Sequence, residues 1–269
     1  HDSVWQAGWL GGVLNVEAGS TWEISGDALK TIYDGTVINN SGLIDWQGPG
    51  AIRGQERNSA WTWNNLDGGV FRISSGGSIF STWYGNHLPV FHNETGARID
   101  LATDGSLATW NRMTLNNASD LFLQGGTLSM INNRVNLNPG SALAGFATLV
   151  LNTSVNINTR VFSSAAVSVT GGYFQGAGED PAVWAGPGIF TWHAGDLWGT
   201  VTFEAGTTSL LAGTGQKQLR DGAELINEGE MRWSGAGRIR AESRSEISII
   251  RNRGIFVGNT SADLIEWYN

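Results

Sequence analysis

The residues that could do chemistry here are a few carboxylates, four histidines and thirteen tryptophans. Cleavage of a polysaccharide requires clustered carboxylates, or an Asp-held calcium with a basic residue beside it. Glu179-Asp180 is the sole adjacent acidic pair, and with Gly178 and Pro181 around it the pair reads as a solvated turn. Glu228 and Glu230 lie beside Arg232 and read as a surface ion pair on a strand edge. An amino-terminal histidine such as His1 could clamp copper through its amine and ring. His87 and His92, however, flank Pro89 without helical spacing, and no metal or cofactor is expected. Aromatic faces stack on sugars. Trp61 and Trp63 are two apart and share one strand face, and with Trp83 and Tyr84 they are the candidate carbohydrate-binding platform. The competing reading is core filling, which suits Trp5, Trp46, Trp192 and Trp233.

The elements that would position these residues are strands. Short runs such as Val13-Leu14-Asn15-Val16 and Thr148-Leu149-Val150-Leu151 are bounded by Gly, Asn, Ser and Asp, and no amphipathic helical stretch appears. A hydrophobic content of 41% against 15% charged residues indicates a folded chain, and the absence of cysteine excludes a disulfide framework. The net charge of -8 argues against nucleic acid. No segment reaches the roughly 18 to 20 apolar residues of a membrane span. The chain starts at His1 with no signal-like segment, and so reads as a processed or trimmed piece.

Two nested periods organise the chain. Trp5 to Arg53 aligns without a gap on Trp192 to Arg240, an offset of 187, through pairs such as Lys30/Lys217, Asp34-Gly35/Asp221-Gly222, Asn40/Asn227 and Trp46/Trp233. This divides the chain into a first unit, 1–187, and a partial second unit, 188–269, continuous with it. Within the units Asn40, Asn65, Asn93 and Asn117, and then Asn227 and Asn252, recur at gaps of 25, 28, 24 and 25. A period of that size predicts an all-β fold: a single right-handed parallel β-solenoid of about 10–11 coils, each about 24–28 residues long. The asparagines then form a structural ladder at an inward bend, followed by a glycine that makes the turn. Alternation places Ile44 and Trp46, Phe71 and Ile73, Ile99 and Leu101 inside, and leaves Asp45, Arg72 and Asp100 as an alternating-charge row on a solvent face.

The stretches Phe190-Thr191-Trp192-His193-Ala194-Gly195, Thr200 to Thr207 and Leu225-Ile226-Asn227 to Gly235 resemble the repeats of very large secreted bacterial β-helical proteins, and Leu115-Asn116-Asn117 to Leu128 resembles another of their elements. The resemblance covers nearly the whole chain. It implies an extracellular or cell-surface location and an adhesive or structural role without established chemistry. The expectation is therefore a non-enzymatic segment of a surface or matrix fibre. Its partners are further copies associated end to end, with surface polysaccharide as a second partner. The alternative is a carbohydrate-binding or polysaccharide-active β-helix, acting as a lyase or hydrolase.

Overall fold

Alternation is regular from strand to strand. In Val37–Asn40, Thr62–Asn65, Val70–Ile73 and Thr208–Leu211 the second and fourth residues are buried while the first and third are not. Each strand therefore turns one edge of its pleat to an apolar interior and the other to solvent. A computed structural model shows these strands winding into a parallel β-solenoid of about 11 turns. It describes residues 2–56, 58–81, 87–177, 182–242 and 244–267, residues 266 and 267 by their backbone alone, and no helix occurs among them.

Every turn has three faces. Ser3–Trp5, Thr21–Ile24 and Leu43–Trp46 begin the first face. Gly8–Leu10, Lys30–Ile32 and Ile52–Gly54 begin the second. Val13–Val16, Val37–Asn40 and Thr62–Asn65 begin the third. All pairings are between turns and parallel, so a residue's neighbours above and below are its register partners.

Turn length departs from the expected 24–28 residues. Register partners are 27 residues apart from Leu43 to Val70 and 28 from Val70 to Arg98, but 22 from Arg98 to Asp120, 20 from Thr114 to Arg134 and 18 from Thr148 to Ala166. The asparagine spacing samples the long turns, which carry loops between faces. The central turns lack those loops: Asp120–Leu137 runs as one continuous strand around all three faces.

Interior volume follows the same division. The early turns hold an aromatic column, with Trp5 on Trp22 at 5.5 Å between ring centroids, Trp63 on Phe91 at 5.5 Å and Phe91 on Trp110 at 5.1 Å. The short central turns are filled by smaller groups, including Leu121, Leu123, Leu128, Met130, Val135 and Leu149. A second aromatic cluster, Phe174, Trp184, Phe190, Trp192 and Phe203, fills the later turns.

The 187-residue period matches strand for strand, Thr21–Ile24 to Thr208–Leu211, Lys30–Ile32 to Lys217–Leu219 and Val37–Asn40 to Glu224–Asn227. It is not a whole number of turns. Thr21–Ile24 lies on the first face, whereas Thr208–Leu211 stacks in the column that begins with Gly8–Leu10, the second face. Equivalent segments are thus displaced by one face, about a third of a turn.

Candidate functional site

The six asparagines form two separate rows. At the corner where the third face turns into the first, Asn40 Nδ2 donates to Asn65 Oδ1 at 2.7 Å, Asn65 to Asn93 at 2.9 Å and Asn93 to Asn117 at 2.8 Å. Each of these three donors also reaches a backbone carbonyl of the adjoining turn, of Val70, Arg98 and Asp120 respectively. All four side chains are fully buried. The row stops where Leu137 takes the next register position, and Asn117 Nδ2 turns to the Ser119 carbonyl at 2.8 Å. Asn227 and Asn252, bonded at 2.7 Å, lie at the next corner, because the second set of strands is displaced by one face. The glycines after the ladder are required by close approach. A Cβ on Gly42 would come within 2.4 Å of the Glu17 carbonyl oxygen, and one on Gly69 within 2.3 Å of that of Asn40.

A second amide row, absent from the sequence reading, runs outside the third face. Asn39 donates to Asn15 at 2.9 Å, Asn64 to Asn39 at 2.8 Å, Asn136 to Asn116 at 2.6 Å and Gln175 to Asn156 at 2.8 Å. His92 occupies one position of this row, its Nδ1 3.4 Å from Asn116 Nδ2. Its signal was the residue before each ladder asparagine, itself Asn at 39, 64 and 116.

The charged row differs from expectation. Arg72 does lie between Asp45 and Asp100, at 3.9 and 4.0 Å, but both carboxylates are buried. Gln47 and Ser74 donate to Asp45 at 3.0 and 2.9 Å, and Arg98 pairs with Asp100 at 2.6 Å, which offsets the desolvation of these groups. Glu230 pairs with Arg232 at 2.7 Å, and Glu228 with Arg253 at 3.2 Å.

Two equivalent lysines are buried within the solenoid wall. Lys30 Nζ donates to the carbonyls of Gly26 and Ala28, and Lys217 Nζ to those of His193, Ala212 and Gly215 at 3.0, 2.6 and 3.3 Å. Burial lowers the pKa of both, that of Lys217 to about 8. In the last turns Arg220 bridges Asp196 at 2.7 Å and Glu242 at 2.6 Å, and Arg244 joins Glu242 at 2.7 Å. The Arg220 hydrogen bond holds Glu242 below the usual carboxylate range. Asp221 is also held well below its ordinary value, by the Ser245 hydroxyl first and then by the amides of Glu246, Ser245 and Arg244. Asp34, its equivalent, accepts from the amide of Asn58 at 3.0 Å.

Trp61 and Trp63 offer no carbohydrate platform: both rings are fully buried. Trp61 Nε1 donates to Glu56 at 2.6 Å, and Trp63 belongs to the aromatic column, so interior packing claims the face that the two share. Trp83 and Tyr84 lie outside the described residues, as do Glu179 and Asp180. Among the described residues the tryptophans that face solvent are Trp9 and Trp198. Among the described residues no three metal-ligating side chains come together, and no helix is long and apolar enough to cross a membrane. Comparison with protein-family models, with curated proteins and with solved structures finds no match, so fold and residue geometry alone carry the functional reading.

Proposed function

We propose that the chain is a structural, adhesive segment of an extracellular surface or matrix fibre in which β-solenoid units stack end to end. The observation that supports this is the stacking itself: three columns of parallel strands run through the described turns, and equivalent strand sets recur 187 residues apart along the same axis. The pairing that joins one turn to the next can therefore join one unit to the next head to tail. A head-to-tail contact of this kind propagates as a filament unless its rotation closes a ring.

Sedimentation velocity with electron microscopy over rising concentration tests the reading. The expected result is rods of uniform width that lengthen with concentration. A monodisperse monomer at high concentration overturns it. We read the chain as non-catalytic within such a fibre. Incubation with neutral and uronate-containing polysaccharides should release no reducing ends or unsaturated products, and release of either would favour the lyase or hydrolase alternative.

A further inference from the structure

We propose that the surface around Trp9 and Tyr33 is a binding subsite for a neutral, β-linked hexopyranose chain. Trp9 is 55% exposed and Tyr33 42%. The two rings come from consecutive turns and stack at 4.7 Å between centroids with planes 16° apart, so they form one extended aromatic surface. The Trp9 ring extends over the turns that follow it. Trp9, Thr31 and Arg53 are register partners, and the Arg53 guanidinium lies 5.9 Å from the Trp9 centroid while its Nη2 donates to Thr31 Oγ1 at 3.3 Å. The platform is thereby held in one orientation before any ligand arrives.

Beside it lies a cavity of about 410 Å³, lined by Trp9, Tyr33, Asp34, Gln55 and Asn58. Flat aromatic faces suit the C–H face of an all-equatorial sugar ring, and two amides with a carboxylate supply donors and acceptors for its hydroxyls. Asp34 in the lining and the net charge of -8 disfavour an anionic polymer.

The equivalent positions of the second set argue that the aromatic surface exceeds what the fold needs. There Trp9, Tyr33 and Gln55 are replaced by Asp196, Arg220 and Glu242, and Arg220 joins the other two at 2.7 and 2.6 Å. At this location ion pairs, with the Arg220 guanidinium also 5.7 Å from the Trp198 ring centroid, join the three turns in place of two stacked rings. Two large exposed rings are therefore a feature of the first set alone.

The test is calorimetric titration of the full chain, at a concentration where sedimentation shows a single species, with cellohexaose, chitohexaose and hexagalacturonate. One of the two neutral probes should bind saturably, and Trp9→Ala and Tyr33→Ala should each weaken that binding roughly tenfold or more. Tyr33→Phe should retain it, and so should Trp198→Ala, which removes an exposed indole elsewhere. Circular dichroism melting establishes that each variant is folded. Absence of saturable binding by either neutral probe, tighter binding of hexagalacturonate, or unchanged affinity in folded Trp9→Ala overturns the proposal. Its failure leaves the fibre reading untouched, since that reading rests on the stacking of turns and not on Trp9 or Tyr33.

Discussion

At Asn65 one amide serves three turns, accepting from Asn40 and donating both to Asn93 and to the carbonyl of Arg98. Asn65→Leu leaves those groups buried without partners and should cost about 1 to 3 kcal/mol in urea denaturation. Asn252→Leu, at an exposed end of its row, should cost much less. Lys217 makes the opposite kind of prediction, because its native pKa of about 8 lies below its ordinary 10.5. Between those values the unfolded chain binds more protons, so the Lys217 contribution to stability should rise with pH through that window. Comparing denaturation midpoints of the native chain and Lys217→Met from pH 7 to 11 checks this, and the rise should be smaller in the variant, where of the two buried lysines only Lys30 remains to supply it. The ladder positions were legible in the sequence because burial, spacing and residue type all repeat there. The tryptophan faces were not. Spacing two apart puts Trp61 and Trp63 on one side but does not say which side, and Trp9 lies in the three-residue strand Gly8–Leu10 and Tyr33 just after the three-residue strand Lys30–Ile32, both too short for alternation to assign a face. What could have found them is the exchange of Trp9, Tyr33 and Gln55 for Asp196, Arg220 and Glu242 between the copies, a set of linked changes at neighbouring surface positions.

At the scale of elements, the loop 244–246 depends on one carboxylate of the turn before it. Asp221 Oδ1 accepts from the amides of Arg244, Ser245 and Glu246, each at 2.8 Å. A group whose native pKa is depressed stabilises above its unfolded value and loses that contribution as pH falls through the native one. Glu242 and Asp221, with ordinary values of 4.5 and 3.8, both belong to this class, so acid should loosen the last turns. Hydrogen exchange, corrected for intrinsic rates, should show the 244–246 amides keeping their protection from pH 6 to pH 4 and losing it as pH falls below 3.8. Asp221→Asn should show the same loss already at pH 6. The strand-and-turn pattern made the solenoid legible, but turn length was not, because the asparagine period reports only turns that carry loops. The continuous strand Asp120–Leu137 bends at Gly125-Gly126 and at Asn132, which has a φ of 55°, and so needs no connecting segment.

For the molecule as a whole, stability is a sum of contacts between adjoining turns, so a change at one end should be felt little at the other. Ile99→Ala, in the fully buried interior, should lower the melting temperature and reduce protection of the neighbouring turns most strongly. Exchange in the turns beyond Glu224 should change far less, as hydrogen–deuterium exchange mapped along the chain would show. The displacement of equivalent strands by one face has a larger effect on any assembly of such units. Each unit advances roughly 40 Å along the axis, at about 4.8 Å per turn, while its outer chemistry steps round by about 120°. Three units, about 120 Å, bring a given patch back to the same bearing. A polymer of them would wear its surface features as a screw thread rather than a stripe, meeting its surroundings on every side. Contacts made through such a thread would crosslink fibres into a three-dimensional mesh, whereas a single stripe would zip them into flat ribbons.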